Sequence, residues 1–155
     1  MSPLKTVLFV CIHNSARSQM AEAFVNARCG GTVRAYSAGL EAGRLNPVVV
    51  EAMREIGYDL AGNAAKSVTD PAIAARAYDY VVTVCDEASA EACPVRPARG
   101  ARLHWGFPDP SSFEGEPAEV LDRTRAVRDA IAGRVLAWCA EVCRPTSPAV
   151  PLPTT

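Results

Sequence analysis

Apolar and polar positions along this chain fall into two alternating rhythms. Val7-Leu8-Phe9-Val10 is a run with no polar face, the pattern of a strand buried on both sides in a parallel sheet. From Ser18 the run SQMAEAF carries strong helix formers with apolar residues at helical spacing. Thr32 to Ser37 reads as a second strand, ended by Ala38-Gly39. Asn46-Pro47, a cap followed by proline at the first helical position, opens a helix expected to reach Ile56 and to stop at Gly57. Asp70-Pro71 opens a shorter one, expected to reach Ala77. Tyr80 to Val84 is a β-branched third strand, and Ala101 to Trp105 a fourth. Glu116-Pro117 begins the last helix, with Val120, Leu121, Thr124, Val127, Ile131, Val135, Leu136 and Trp138 as one apolar stripe to about Cys143. The order of these segments predicts an α/β fold of three layers, with a central four-stranded parallel sheet and helices on both faces.

The rest of the composition narrows the class. At 155 residues the chain is expected to form one domain over residues 1–143, with enough length for a sizeable core. Residues 144–155 include four prolines and only one charge, at Arg144, so a disordered tail is expected there. A net charge of −1 offers no basic field for nucleic acid or an anionic membrane. No apolar run approaches a membrane span, and Met1-Ser2-Pro3-Leu4-Lys5 lacks the shape of a signal peptide, so a cytoplasmic location is expected. In that compartment six cysteines point to catalysis or metal binding before structural disulfides. No exposed apolar stripe demands a second copy, and a monomer is expected.

The candidate chemistry begins directly after the first strand, in Cys11-Ile12-His13-Asn14-Ser15-Ala16-Arg17-Ser18. Backbone N–H groups of a loop between a buried strand and a helix converge on one point, which suits a tetrahedral oxyanion such as phosphate. Arg17 adds a planar two-pronged grip. The positive field favours the thiolate form of Cys11, with the hydroxyls of Ser15 and Ser18 in reach of it. Asn14 suits the left-handed backbone that so tight a loop requires. The loop has no glycine and no Gly-Lys-Ser/Thr, so it is no nucleotide-binding Gly-rich loop. Cys85 ends the third strand at the same sheet edge, and Cys93 follows after seven intervening residues. That gap is too wide for a zinc knuckle. If the segment is helical, it holds the two sulfurs too far apart to bond until it rearranges.

The stretch FVCIHNSARSQMAEAF resembles the opening of the low-molecular-weight tyrosine phosphatase fold, and more closely that of the arsenate reductases built on it. The likeness continues through Tyr36-Ser37-Ala38-Gly39, Val81-Val82-Thr83-Val84-Cys85-Asp86 and His104-Trp105-Gly106-Phe107-Pro108-Asp109-Pro110, and covers about residues 5 to 143. It implies a three-cysteine relay. Cys11 attacks arsenate, Cys85 attacks Cys11 and releases arsenite, and Cys93 takes over the disulfide and presents it to thioredoxin. It implies that Asp109 is the general acid that protonates the departing oxygen, and that residues 12–18 hold the anion, phosphate and sulfate competing. It also implies a potassium ion held by Asn14, Glu22 and Ser37, with no tightly bound cofactor. Two alternatives remain at this point. A phosphatase needs only Cys11, Arg17 and Asp109; a non-enzymatic thiol protein would trap arsenite or a soft metal through Cys85, Cys93 or Cys139 and Cys143. Where the phosphatases are expected to carry aromatic residues just after Asp-Pro, this chain has Ser111-Ser112, with Phe113 one step further, which favours a small inorganic oxyanion. Cys29, Cys139 and Cys143 read as small apolar residues, His13 as solvent-facing and His104 as packing.

Overall fold

The computed structural model describes residues 5–14, 16–40, 43–85 and 98–142. The strands are β1 (Lys5–Cys11), β2 (Val33–Gly39), β3 (Tyr80–Thr83) and β4 (Ala101–His104), and the helices are α1 (Arg17–Cys29), α2 (Pro47–Arg54), α3 (Pro71–Ala74) and α4 (Pro117–Val142). The strands form one sheet in the order β2-β1-β3-β4, and every pairing is parallel. Val7 to Val10 are fully buried, so both faces of the central strand are covered, as the unbroken apolar run predicts. The chain leaves β1 toward β2 on one side and returns to β3 on the other. The carboxyl ends of β1 and β3 therefore flank the switch point of the sheet, where ligands of open α/β folds bind.

Local chemistry sets the helix starts as the sequence predicts. The Asn46 carboxamide oxygen accepts from the N–H of Val48 at 2.8 Å, and Asp70 caps α3 through Ala72 at 3.0 Å, each with proline next in the chain. Two helices are shorter than expected. After α2 ends at Arg54, Gly57 adopts a left-handed backbone with φ of 94°. In α3 only Ile73 is buried, and the Tyr78 hydroxyl takes its carbonyl at 2.9 Å.

The long helix α4 corrects the predicted stripe. Thr124, Val127, Ile131, Val135 and Trp138 face the core as expected, but Leu136 is 48% exposed. One residue past Val135 it lies about 100° further round the helix. Arg128 occupies a buried position instead, donating to the Ala52 carbonyl at 2.8 Å and to Glu55 at 3.1 Å. Hydrogen bonding from Arg125 pulls the Glu55 carboxyl down to about 2, and this cluster joins α2 to α4. Trp105 lies between Phe9 (5.6 Å, tilted) and Trp138 (6.0 Å, edge-on) and ties the edge strand to the same helix.

A second correction concerns the cysteines. Cys29, at the end of α1, is disulfide-bonded to Cys139 on α4, so these are not merely small apolar residues. Cys143 and the tail lie outside the described residues. The pairing was invisible in sequence because 110 residues separate the two sulfurs and packing of α4 on α1 brings them together. A cross-link closing so long a loop restricts the unfolded chain. Cys139→Ser should lower unfolding stability by about 2–4 kcal/mol. Urea titration checks this, and the difference should vanish when both proteins are measured in strong reductant.

Candidate active site

Cys11 ends β1 and Arg17 begins α1, so the intervening loop must fold back over the end of the strand. The Cys11 sulfur lies 2.9 Å from the Ser18 hydroxyl and accepts the Asn14 N–H at 3.1 Å. Asn14 has φ of 54°, the left-handed geometry expected of it. Its side chain does more than the sequence suggested. The amide nitrogen donates to Ser18 at 2.7 Å, while the amide oxygen accepts from the Lys66 backbone at 2.8 Å and from Gln19 at 3.1 Å. Gln19 is fully buried and also donates to the Asn14 and Ala64 carbonyls. Of the predicted anion-binding residues, Ala16 and Ser18 are buried, Ile12 is half-buried and His13 is exposed. Ser15 lies outside the described residues. Gly39 supports the loop from below: a Cβ there would stand 2.6 Å from the Ile12 carbonyl oxygen and 2.7 Å from the Asn14 nitrogen.

Arg17 and Asp109 come together across ninety-two positions of sequence. The guanidinium is 3% exposed; Nη1 donates to the Phe107 carbonyl at 3.1 Å, and Nη2 lies 3.4 Å from the Asp109 carboxylate. Its Nε is buried with no partner among the described residues. An anion oxygen would satisfy that donor, since an unpaired buried N–H is costly. Asp109 also accepts the Ser111 N–H at 2.9 Å, capping a short 3-10 turn over Pro110–Ser112. Asp109 is thus a turn former whose carboxylate also faces Arg17.

Cys85 lies two residues past β3, fully buried, with its sulfur 4.0 Å from the Val10 carbonyl oxygen. It therefore sits one strand over from Cys11. Cys85 is disulfide-bonded, and among the described residues Cys11 is the free thiol. Cys93, with the rest of residues 86–97, lies outside the described residues.

The expected potassium residues have partners within the protein. Ser37 donates to Glu22 at 2.5 Å, while the Asn14 amide oxygen is already taken by Gln19 and the Lys66 N–H. The Lys66 ammonium stands 4.0 Å from Glu22, a cation that the sequence reading did not assign. Among the described residues no cluster of three or more His, Cys, Asp or Glu side chains could hold a metal ion. His104, expected to pack, is exposed and shares a 2.7 Å hydrogen bond with Thr83. Gln19 carries a weak signal in hindsight, a carboxamide beside buried Met20 where an apolar side chain would serve packing alone.

Comparison with known proteins agrees with this geometry. Residues 6–147 match the family described as low molecular weight phosphotyrosine protein phosphatase. An arsenate reductase of Bacillus licheniformis is 44% identical over 131 residues, covering 84% of this chain and 92% of that protein. A solved arsenate reductase in its phosphate-binding state superposes with a TM-score of 0.70 at 30% identity, over 90% of this chain and 99% of that one. A thioredoxin-dependent arsenate reductase of Corynebacterium glutamicum superposes with a TM-score of 0.64 at 31% identity, over 92% of this chain and 63% of that one.

Burial raises the Glu22 carboxyl above its ordinary value of 4.5, outweighing the opposing pull of the Ser37 hydroxyl, Lys66 and Arg34. Between the ordinary and the raised value the folded protein keeps a proton that the unfolded chain has lost, so stability falls as pH rises through that window. Glu22→Gln still accepts from Ser37 but cannot ionise. Urea unfolding from about pH 4 to about pH 8 should show the variant gaining on the native protein as pH rises, with the two closest at the acid end.

Proposed function

The chain belongs to the low-molecular-weight phosphotyrosine protein phosphatase family and stands with its arsenate reductases, and from that premise we propose a mechanism in which it reduces arsenate to arsenite through a three-thiol relay recycled by thioredoxin. One observation carries the reading: a free Cys11 at the end of β1, with a disulfide-bonded Cys85 two residues past the neighbouring strand β3. Hydrolysis of a phosphate ester needs only the one thiol, without a change of oxidation state.

Residues 12–18 and the Arg17 guanidinium hold arsenate, and phosphate or sulfate compete for the same donors. The Cys11 thiolate displaces one oxygen from arsenic(V), and Asp109 protonates that oxygen as it leaves as water. The Cys85 thiolate then attacks the Cys11 sulfur. The sulfur–sulfur bond forms, the electron pair of the sulfur–arsenic bond goes to arsenic, and arsenic leaves as arsenite, reduced by two electrons. Cys93 attacks Cys85, freeing Cys11 as a thiolate and leaving a Cys85–Cys93 disulfide for the thioredoxin dithiol to reduce. An oxidised Cys85 beside a free Cys11 is the pattern this last step leaves behind. Phosphorus(V) cannot complete the second step at biological potentials, so phosphate binds but is not reduced.

The thiols must be re-reduced after every turnover, which supports a reducing compartment such as the cytoplasm. Among the described residues no helix is long and apolar enough to cross a membrane. Each relay cysteine is supplied by one chain, and we assign the working unit as a monomer. Potassium is given no step.

Single turnover tests the scheme. Fully reduced protein mixed with arsenate, without thioredoxin, should yield about one arsenite per chain and a Cys85–Cys93 disulfide on mass-spectrometric mapping. Cys11→Ser and Cys85→Ser should each cut arsenite formation by at least about a thousandfold. Cys93→Ser should release arsenite once and stall as a Cys11–Cys85 disulfide. Free thiols and no arsenite, with aryl phosphate still cleaved, would leave a phosphatase instead.

A further inference from the structure

The Asn46 carboxamide bonds in two directions, and together its partners connect parts of the fold that the sheet keeps apart. Its carboxamide oxygen is committed to the N–H groups of Val48 (2.8 Å) and Val49 (3.4 Å), as the cap of α2. The cap thereby fixes which end of the amide is which. The NH2 group must face the other way, and there it donates to the Ser111 hydroxyl at 3.0 Å. Ser111 in turn donates its backbone N–H to Oδ1 of Asp109 at 2.9 Å, while Oδ2 of Asp109 lies 3.4 Å from Arg17.

The topology gives this chain of bonds its meaning. Asn46 lies on the connection leaving β2 and Ser111 on the connection leaving β4, the two outermost strands of the order β2-β1-β3-β4. At about 4.8 Å per strand those ends are roughly 14 Å apart. A direct hydrogen bond between the two connections must therefore span the carboxyl ends of β1 and β3, the edge that carries Cys11 and Cys85. Among the described residues, the other ties between the cradle and the segment holding Asp109 run through Arg17, at Phe107 and at Asp109 itself. A carboxylate needs more than one fixed point to present a proton along a set direction.

We propose that Asn46 is a positioning residue for the acid Asp109, acting through Ser111 and referencing that carboxyl to the start of α2. The proposal rests on the reading of Asp109 given above. Asn46 touches no reacting atom; breaking its bond to Ser111 leaves the anion cradle intact and loosens only the proton donor. Binding of arsenate should therefore survive while the chemical step slows.

The test is the single-turnover rate of arsenite formation by reduced protein across arsenate concentrations, with melting temperature measured beside it. Asn46→Ser keeps a side-chain oxygen for the cap but is too short to reach Ser111; Ser111→Ala removes the acceptor and leaves the backbone N–H to Asp109. Each should lower the saturating rate by about three- to tenfold while the half-saturating concentration stays within about twofold. The double variant should be no slower than the slower single, because the two residues act through one bond. Ser111→Thr, which restores a hydroxyl, should recover most of the rate. Melting temperatures should stay within about 2 °C of the native value. Asp109→Asn is the reference. If it slows the reaction while the Asn46 and Ser111 variants do not, or if their losses multiply, positioning by Asn46 is overturned and the role of Asp109 stands. If Asp109→Asn keeps the native rate, both the acid and its positioning fall together.

Discussion

Asn14 in its left-handed conformation is the constraint on which the functional edge of this molecule depends. A loop of five residues has to turn back over a strand end and hold a sulfur beneath it. One residue at φ of 54° makes that turn, and its backbone N–H then reaches the Cys11 sulfur. The side chain holds the turn from the other side, through Ser18, Gln19 and the Lys66 backbone. The penalty of a left-handed non-glycine residue is offset by this set of buried hydrogen bonds. Gly39 on the neighbouring strand completes the arrangement by leaving no side chain where the loop passes.

Arg17 carries the organisation outward from this floor. It is almost fully buried, so it cannot act as a mobile surface cation and must be paired. The Phe107 carbonyl and the Asp109 carboxylate pair it, and both lie on the connection after β4. The Cys11 loop and Asp109 are thus parts of one bonded unit. Cys85 reaches the same place by a different route, as the continuation of a strand hydrogen-bonded to β1. Strand pairing fixes its distance from Cys11 without any side-chain recognition. The two kinds of support suit two kinds of task, orientation for a proton and proximity for a sulfur.

The two sulfur chemistries in the chain are kept apart. Cys29 and Cys139 are paired between α1 and α4. Both sit near the limit of burial, 8% and 6% exposed, which shields them from exchange with the thiols of the relay. Composition counts cysteines but cannot pair them. Tertiary packing supplies the short distance that a separation of 110 residues conceals.

Much of this protein was settled by local sequence. The apolar run Val7 to Val10 determined a doubly buried strand, the Asn46-Pro47 and Asp70-Pro71 pairs determined two helix starts, and Cys11 with Arg17 marked the loop from strand to helix, because each depends only on neighbours in the chain. The left-handed Asn14 was legible for the same reason. What stayed hidden depends on partners far away in sequence. Gln19 and Lys66 look like an ordinary helix residue and an ordinary surface cation until Asn14 and Glu22 are placed beside them. Leu136 matched the hydrophobic pattern of α4 but points out, and Arg128 broke the pattern but points in, because Glu55 and the Ala52 carbonyl await it on α2. Sequence periodicity decides which residues can share a face; only the packed neighbours decide which face is inside and which polar groups it can satisfy.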